Sequence, residues 1–238
     1  MPEYKKFLLF GDSITEFVFN AAEPDPRGRD RPNDEFNFGA TLADAYRRKL
    51  DILHRGFRGY TTRWALPVLR DLLQTEHGIA IGTIFFGAND STIAGPQHVP
   101  LEEYISNTKE ILRLFRGNGI KPILIAPGLI DREVWDPLKK EDIAKGWIRT
   151  PEQFRIYAEA VCTLAKEEGV PVIDLRKLFL QSNGGDDKWR DLLCDGLHFS
   201  PASYKILYEA LMDTIRENYP ELYPENIQPV YPDWKTLS

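Results

Sequence analysis

The segment Lys5-Lys6-Phe7-Leu8-Leu9-Phe10-Gly11-Asp12-Ser13-Ile14-Thr15-Glu16 decides how the chain folds. Four successive apolar residues, Phe7 to Phe10, leave no side of a strand for water, so both of its faces must be covered. Gly11-Asp12-Ser13 ends the run with turn residues. Ser13-Ile14-Thr15-Glu16 has the spacing of a capping box, which would make Ser13 the cap of a helix. A doubly buried strand that passes straight into a helix is the unit of a parallel α/β sheet.

Similar apolar runs recur at 51–53, 79–86, 120–126 and 170–175, and most of them end at Gly, Pro, Asn or Asp. Helical periodicity fills the intervals. Leu42, Ala45, Tyr46, Lys49 and Leu50 form one stripe, and Leu66, Leu69, Leu72 and Leu73 form another. Ile105, Thr108, Ile111, Leu112 and Phe115 follow, then 151–168, then Tyr204, Leu207, Tyr208, Leu211 and Ile215 after Pro201. Five strands alternating with helices predict a three-layer α/β/α sandwich around a five-stranded parallel sheet, flavodoxin-like, in the order 2-1-3-4-5. Active groups then belong on loops leaving the C-terminal ends of the strands.

The composition fits this fold and excludes others. The 238 residues are 42% apolar and 28% charged, with a net charge of −6. That is neither a disordered nor a fibrous chain. One domain spanning 1–238 is expected, without linker or repeat. The basic stretches, Arg27-Gly28-Arg29-Asp30-Arg31 and Arg47-Arg48-Lys49, are short and read as solvated faces, so neither nucleic acid nor a stable membrane association is expected. No apolar run approaches the ~20 residues of a membrane span, and Phe7 to Phe10 is too short for a signal-peptide core. Cys162 and Cys194 have no metal or redox spacing, which predicts a reducing, cytoplasmic setting. The sequon Asn89-Asp90-Ser91 is accordingly expected to stay unmodified.

Four strand-end loops carry polar groups suited to chemistry: Gly11-Asp12-Ser13-Ile14, Gly56-Phe57-Arg58-Gly59-Tyr60-Thr61-Thr62, Gly87-Ala88-Asn89-Asp90 and Asp195-Gly196-Leu197-His198. Each has a structural reading when taken alone: Thr61 as a helix cap, Gly59 as a turn glycine, Asn89 and Asp90 as turn residues, His198 as a core histidine. Together they supply a reaction. A serine hydroxyl needs a base, His is the usual one, and the base needs an orienting carboxylate. Asp195 stands three residues before His198, so one turn can bring it to Nδ1 and leave Nε2 for Ser13. The backbone N–H groups of Ser13 and Gly59 and the side-chain amide of Asn89 would serve a developing oxyanion.

These four blocks, in this order, resemble the SGNH, or GDSL, hydrolase family. The resemblance implies Ser13 as nucleophile, Asp195 and His198 as its partners, and Ser13, Gly59 and Asn89 as oxyanion donors. Gly56 is a second candidate in the glycine block; Gly59 fits better because Thr61-Thr62 follow it. Further stretches, 7–17, 55–65 and 128–133, resemble the isoamyl acetate-hydrolysing esterases of that family. They imply a serine esterase for short-chain, acetate-type esters, with an acyl-enzyme, no metal or organic cofactor, and a homodimer. A carbohydrate O-acetyl esterase, and a thioesterase or lysophospholipase of the same fold, are the alternatives within hydrolases. A flavodoxin-like carrier fits poorly, since Asp12 would put a negative charge where phosphate binds. A metallophosphoesterase needs clustered ligands, whereas His54, His77 and His98 are scattered.

Two segments break the alternation. The 129–150 connection carries Trp135 and Trp147, and the 219–238 tail carries four prolines among Tyr219, Tyr223, Tyr231 and Trp234. Both are expected to wall the acyl pocket, and the tail to help pair two subunits, because exposed aromatics of this size are an aggregation hazard.

Overall fold

The computed structural model describes residues 3–20, 36–182 and 187–237. Its strands are β1 (Lys5–Gly11), β2 (Leu50–Gly56), β3 (Ile79–Phe85), β4 (Lys121–Ala126) and β5 (Val172–Asp174). They pair in parallel in the order β2-β1-β3-β4-β5. The helices are α1 (Ser13–Glu16), α2 (Phe38–Ala45), α3 (Thr62–Thr75), α4 (Leu101–Gly117), α5 (Arg132–Leu138), α6 (Lys140–Ala144), α7 (Pro151–Glu168), α8 (Leu175–Ser182) and α9 (Pro201–Asn218).

The alternation of β1 builds both cores. Phe7 and Leu9 point to the side of α2, α8 and α9, with Ile81, Ile125, Leu42 and Leu211. Leu8 and Phe10 point to the side of α3, α4 and α7, with Ile84, Leu124, Leu69 and Ile111. All four of these β1 side chains are buried, as a central strand covered on both faces requires. The edge strands depart from the sequence reading. β2 extends through His54 and Arg55, because a half-exposed edge strand tolerates polar residues that an apolar-run criterion rejects. Leu50, read as the end of a helical stripe, begins that strand, since α2 stops at Ala45. At the other edge β5 shortens to three residues.

The tail lies where the expectation did not put it. The Tyr219 hydroxyl donates to the Pro122 carbonyl at 2.9 Å, and the Tyr46 hydroxyl donates to the Leu222 carbonyl at 2.9 Å. Lys49 Nζ reaches the Pro224 carbonyl at 2.7 Å, and Arg48 binds the carbonyls of Tyr231 and Pro232. Pro122, Arg48 and Lys49 stand at the N-terminal ends of β4 and β2. The tail therefore straps the pole opposite the strand ends that carry chemistry, and within its own chain it does not wall that site. Of the basic stretch Arg47-Arg48-Lys49, Arg48 and Lys49 accordingly anchor the tail, while Arg47 pairs with Asp44 on a solvated face. The other basic stretch, 27–31, lies outside the described residues. No described helix is long and apolar enough to cross a membrane.

Candidate active site

Helix α1 begins where β1 ends, and its cap is Asp12, whose Oδ1 accepts the Ile14 N–H at 2.9 Å. The expected capping box does not form: Ser13 is not the cap, and Glu16 Oε2 accepts the Arg58 N–H instead of reaching back to the helix start. With Asp12 as cap, the Ser13 hydroxyl is released from that duty, and Ser13 itself is buried at the end of the strand. Gly56 explains how α1 sits so close to β2. A side-chain carbon there would lie 2.1 Å from the Glu16 backbone nitrogen, so only glycine fits. Its place in the glycine block is for packing.

His198 arrives from the far end of the chain. The loop that carries it is pinched by an antiparallel bridge between Leu193 and Phe199, and the Cys194 N–H donates to the His198 carbonyl at 2.8 Å. Gly196 holds a φ of 92°, a left-handed turn that puts its backbone against Trp135 and Asp131. Asp195 Oδ1 accepts the N–H groups of Leu197 at 3.0 Å and His198 at 2.8 Å, and Oδ2 lies 2.7 Å from His198 Nδ1. Burial works against ionising Asp195. The bond and charge of His198, with the two backbone N–H groups, outweigh it and hold the pKa at about 2. An ionised carboxylate can only accept, so Nδ1 carries the proton, and in the neutral imidazole Nε2 is then the nitrogen with the lone pair. That Nε2 stands 2.9 Å from Ser13 Oγ. The rings of Phe17 and Trp135, with centroids 5.2 and 5.9 Å away, hold the imidazole edge-on.

Ser13, Gly59 and Asn89, the expected oxyanion donors, line one cleft. Ser13 is the first residue of α1, where a backbone N–H has no carbonyl of its own helix to reach. Gly59, at φ 79°, is the third residue of a turn closed by the Tyr60 N–H on the Phe57 carbonyl. Asn89 Nδ2 donates to the Tyr60 carbonyl at 2.9 Å. Thr61 does not cap α3; Asp90 Oδ1 does, accepting from the Thr62 N–H at 2.9 Å. The β3 loop is thereby tied to the β2 loop.

Ser13, Gly59, Asn89 and His198 share a cleft of about 130 Å³ with Trp135, Leu197 and five polar residues the sequence reading missed: Arg58, Gln97, Lys139, Asp142 and Arg149. Of the 129–150 connection, α5 brings Trp135 to the cleft, while Trp147 packs against Gly95 outside it. No periodicity marks Arg149 in the sequence; its only signal was membership of that long connection. A larger groove of about 460 Å³ lies at the opposite pole between α2, α9 and the tail, without any of these groups. Asp12 is fully buried beneath the cleft. Loss of water pushes its pKa up to about 7 against the pull of Ile14 N–H, His198 and Arg149. Among the described residues, no three His, Cys, Asp or Glu side chains are grouped to hold a metal ion.

A serine hydroxyl 2.9 Å from an imidazole that is in turn 2.7 Å from a carboxylate is an arrangement that can carry acyl transfer. The chain is 49% identical over 235 residues to the isoamyl acetate-hydrolyzing esterase of Saccharomyces cerevisiae, covering 99% of this chain and 96% of that one. It is 34% identical over 230 residues to the human isoamyl acetate-hydrolyzing esterase 1 homolog, covering 92% and 84%. In fold it matches the lipase/acylhydrolase from Enterococcus faecalis with a TM-score of 0.65 at 22% identity, over 94% of this chain and 98% of that one. An acetylxylan esterase from Geobacillus stearothermophilus matches at 0.61 and 19%, over 90% and 96%. The model of the GDSL-like lipase/acylhydrolase family matches residues 7–211, and the chain belongs to that family.

Proposed function

We propose that this chain hydrolyses short-chain carboxylic esters, acetate esters first among them, through an acyl-enzyme on Ser13. The Ser13–His198–Asp195 relay, at 2.9 and 2.7 Å and opening on a cleft of about 130 Å³, carries the proposal. As Ser13 Oγ attacks the ester carbonyl carbon, His198 Nε2 takes its proton. The carbonyl oxygen becomes an oxyanion held by the N–H groups of Ser13 and Gly59 and by Asn89 Nδ2. Collapse breaks the C–O bond, and His198 returns the proton to the departing alcohol. Water then repeats the sequence on the acyl-serine, releasing acid and free Ser13. No step needs a metal or cofactor. The cleft is well below the ~300–1,000 Å³ of drug-sized sites, which supports a small acyl group.

The name of the yeast relative supports isoamyl acetate as one substrate. The polar cleft beside Trp135 supports carbohydrate O-acetyl esters as the second reading, and among the described residues it opens on no long apolar slot for a lysophospholipid chain. We also propose that the chain is a single hydrolase domain, cytoplasmic and homodimeric. The low cysteine content, Cys162 and Cys194 without metal or redox spacing, supports the compartment; sedimentation tests the dimer. Rates on p-nitrophenyl acetate, butyrate and octanoate, isoamyl acetate and an acetylated xylooligosaccharide test the substrate. A serine-reactive phosphonate should label Ser13, and Ser13→Ala should lower kcat about 10⁴–10⁶-fold. Labelling elsewhere, or an active Ser13→Ala protein, would refute the mechanism.

A further inference from the structure

Arg149 is 5% exposed, at the end of the connection that follows α6. A buried guanidinium ordinarily faces a carboxylate. This one contacts neutral carbonyl oxygens. Nε donates to the Ala88 carbonyl at 3.1 Å, and Nη2 donates both to Asn89 Oδ1 at 2.9 Å and to Gln97 Oε1 at 2.8 Å. The carboxylates of Asp12 and Asp142 act on it only at longer range, and loss of water pulls its pKa down to about 10. The guanidinium carbon also lies 5.5 Å from the centre of the Trp135 ring.

We propose that Arg149 is a positioning residue for the ester hydrolysis assigned above, holding two of the three oxyanion donors in place through Asn89 and Gln97. The chemistry follows from donor and acceptor identity. A guanidinium has five donors and no acceptor, so each amide must turn its oxygen toward it. For Asn89 this leaves Nδ2 toward the Tyr60 carbonyl and the cleft. The opposite flip would aim an amide oxygen at the oxyanion. For Gln97 it sends Nε2 to the Gly59 carbonyl at 2.8 Å, which fixes the turn that presents the Gly59 N–H. One nitrogen of Arg149 therefore sets donors from the β2 loop and the β3 loop together. Its charge also polarises the Asn89 amide, making Nδ2 a stronger donor. With no carboxylate in contact, that charge gains most when the substrate oxygen becomes negative, so its effect belongs to kcat.

Arg149→Lys, Arg149→Met and Arg149→Gly are compared with the parent on p-nitrophenyl acetate, with active sites titrated by phosphonate. Arg149→Met is expected to lower kcat about 10–10²-fold with KM within about twofold, and Arg149→Lys to lose about tenfold, since charge without the fork does not set both amides. Methylguanidinium should restore part of the kcat of Arg149→Gly. Arg149→Met/Asn89→Ala should lose less than the product of the two single losses, because the share of Arg149 that acts through Asn89 is already gone and only the share through Gln97 and Gly59 remains. Multiplicative losses, or folded variants with reduced thermal stability but unchanged kcat per titrated site, would overturn the assignment. A parent chain that hydrolyses no ester would overturn the ester reading itself; an active parent matched by Arg149→Met would overturn only this one.

Discussion

The Tyr204 hydroxyl donates to the Ile14 carbonyl at 2.7 Å, across 190 residues of chain. Ile14 follows Ser13 in α1, and Tyr204 lies in the first two turns of the helix after His198. This buried bond ties the helix that begins at Ser13 to the helix that follows His198, the proposed nucleophile and base. Tyr204→Phe should destabilise the fold by about 1–3 kcal/mol, because it leaves a buried carbonyl unpaired. It should also lower kcat about 3–10-fold through looser alignment. Unchanged kcat beside a lowered melting temperature would confine the bond to stability.

Asn89 and Gly56 stand in neighbouring loops and should fail differently. If Asn89 is the proposed oxyanion donor, Asn89→Ala removes an interaction made in the transition state, so kcat should fall about 10²–10³-fold with KM nearly constant. Gly56→Ala forces a carbon against the Glu16 backbone and must displace α1. It should cost about 1–3 kcal/mol of stability together with activity. Denaturant titration beside steady-state kinetics separates them; a stable, inactive Gly56→Ala protein would contradict the packing role.

Asp12 makes stability depend on pH with a defined sign. Its pKa is pushed up to about 7 in the fold, so between pH 4 and 7 the folded chain holds a proton that the unfolded chain releases. Its contribution therefore falls as pH rises through that window. Asp12→Asn keeps an oxygen to cap the Ile14 N–H and removes the charge. It should match the parent near pH 4 and exceed it by on the order of 2–4 kcal/mol above pH 7. An advantage independent of pH would show that Asp12 does not titrate there.

Truncation after Asn218 removes the bonds of Tyr219, Leu222 and Pro224 to the N-terminal pole of the sheet. At about 1 kcal/mol each, their loss should lower the melting temperature by roughly 5–10 °C. The kcat and KM on p-nitrophenyl acetate should stay within about twofold. A raised KM would mean that the tail contributes to substrate binding.

Central features were legible because their cause is local. Phe7 to Phe10 announce a strand covered on both faces, and Asp195 lies near enough to His198 for one turn to join them. Edge features were less so: His54 and Arg55 are acceptable in β2 only because the strand has one free side, which a sequence does not mark. The tail's aromatics announced packing but not a pole, since that depends on which carbonyls meet Tyr46 and Lys49. Arg149 was hidden for a further reason. Its partners, Asn89 and Gln97, come from another loop, and neither spacing nor periodicity joins them to it.

The separation of Ser13 from His198 by 185 residues has a consequence during synthesis. At about 5–20 residues per second, the hydroxyl emerges from the ribosome roughly 10–40 s before its base. Strands β1, β2 and β3 can pair in that interval, so the nucleophile's loop is in place while the chain is still inert. With Ser13 and His198 in the proposed roles, hydrolysis would switch on only when the last quarter of the polypeptide docks. On the proposed mechanism, a nascent chain or one broken before His198 therefore carries the serine loop without its base, and the order of translation itself keeps unfinished molecules from attacking esters.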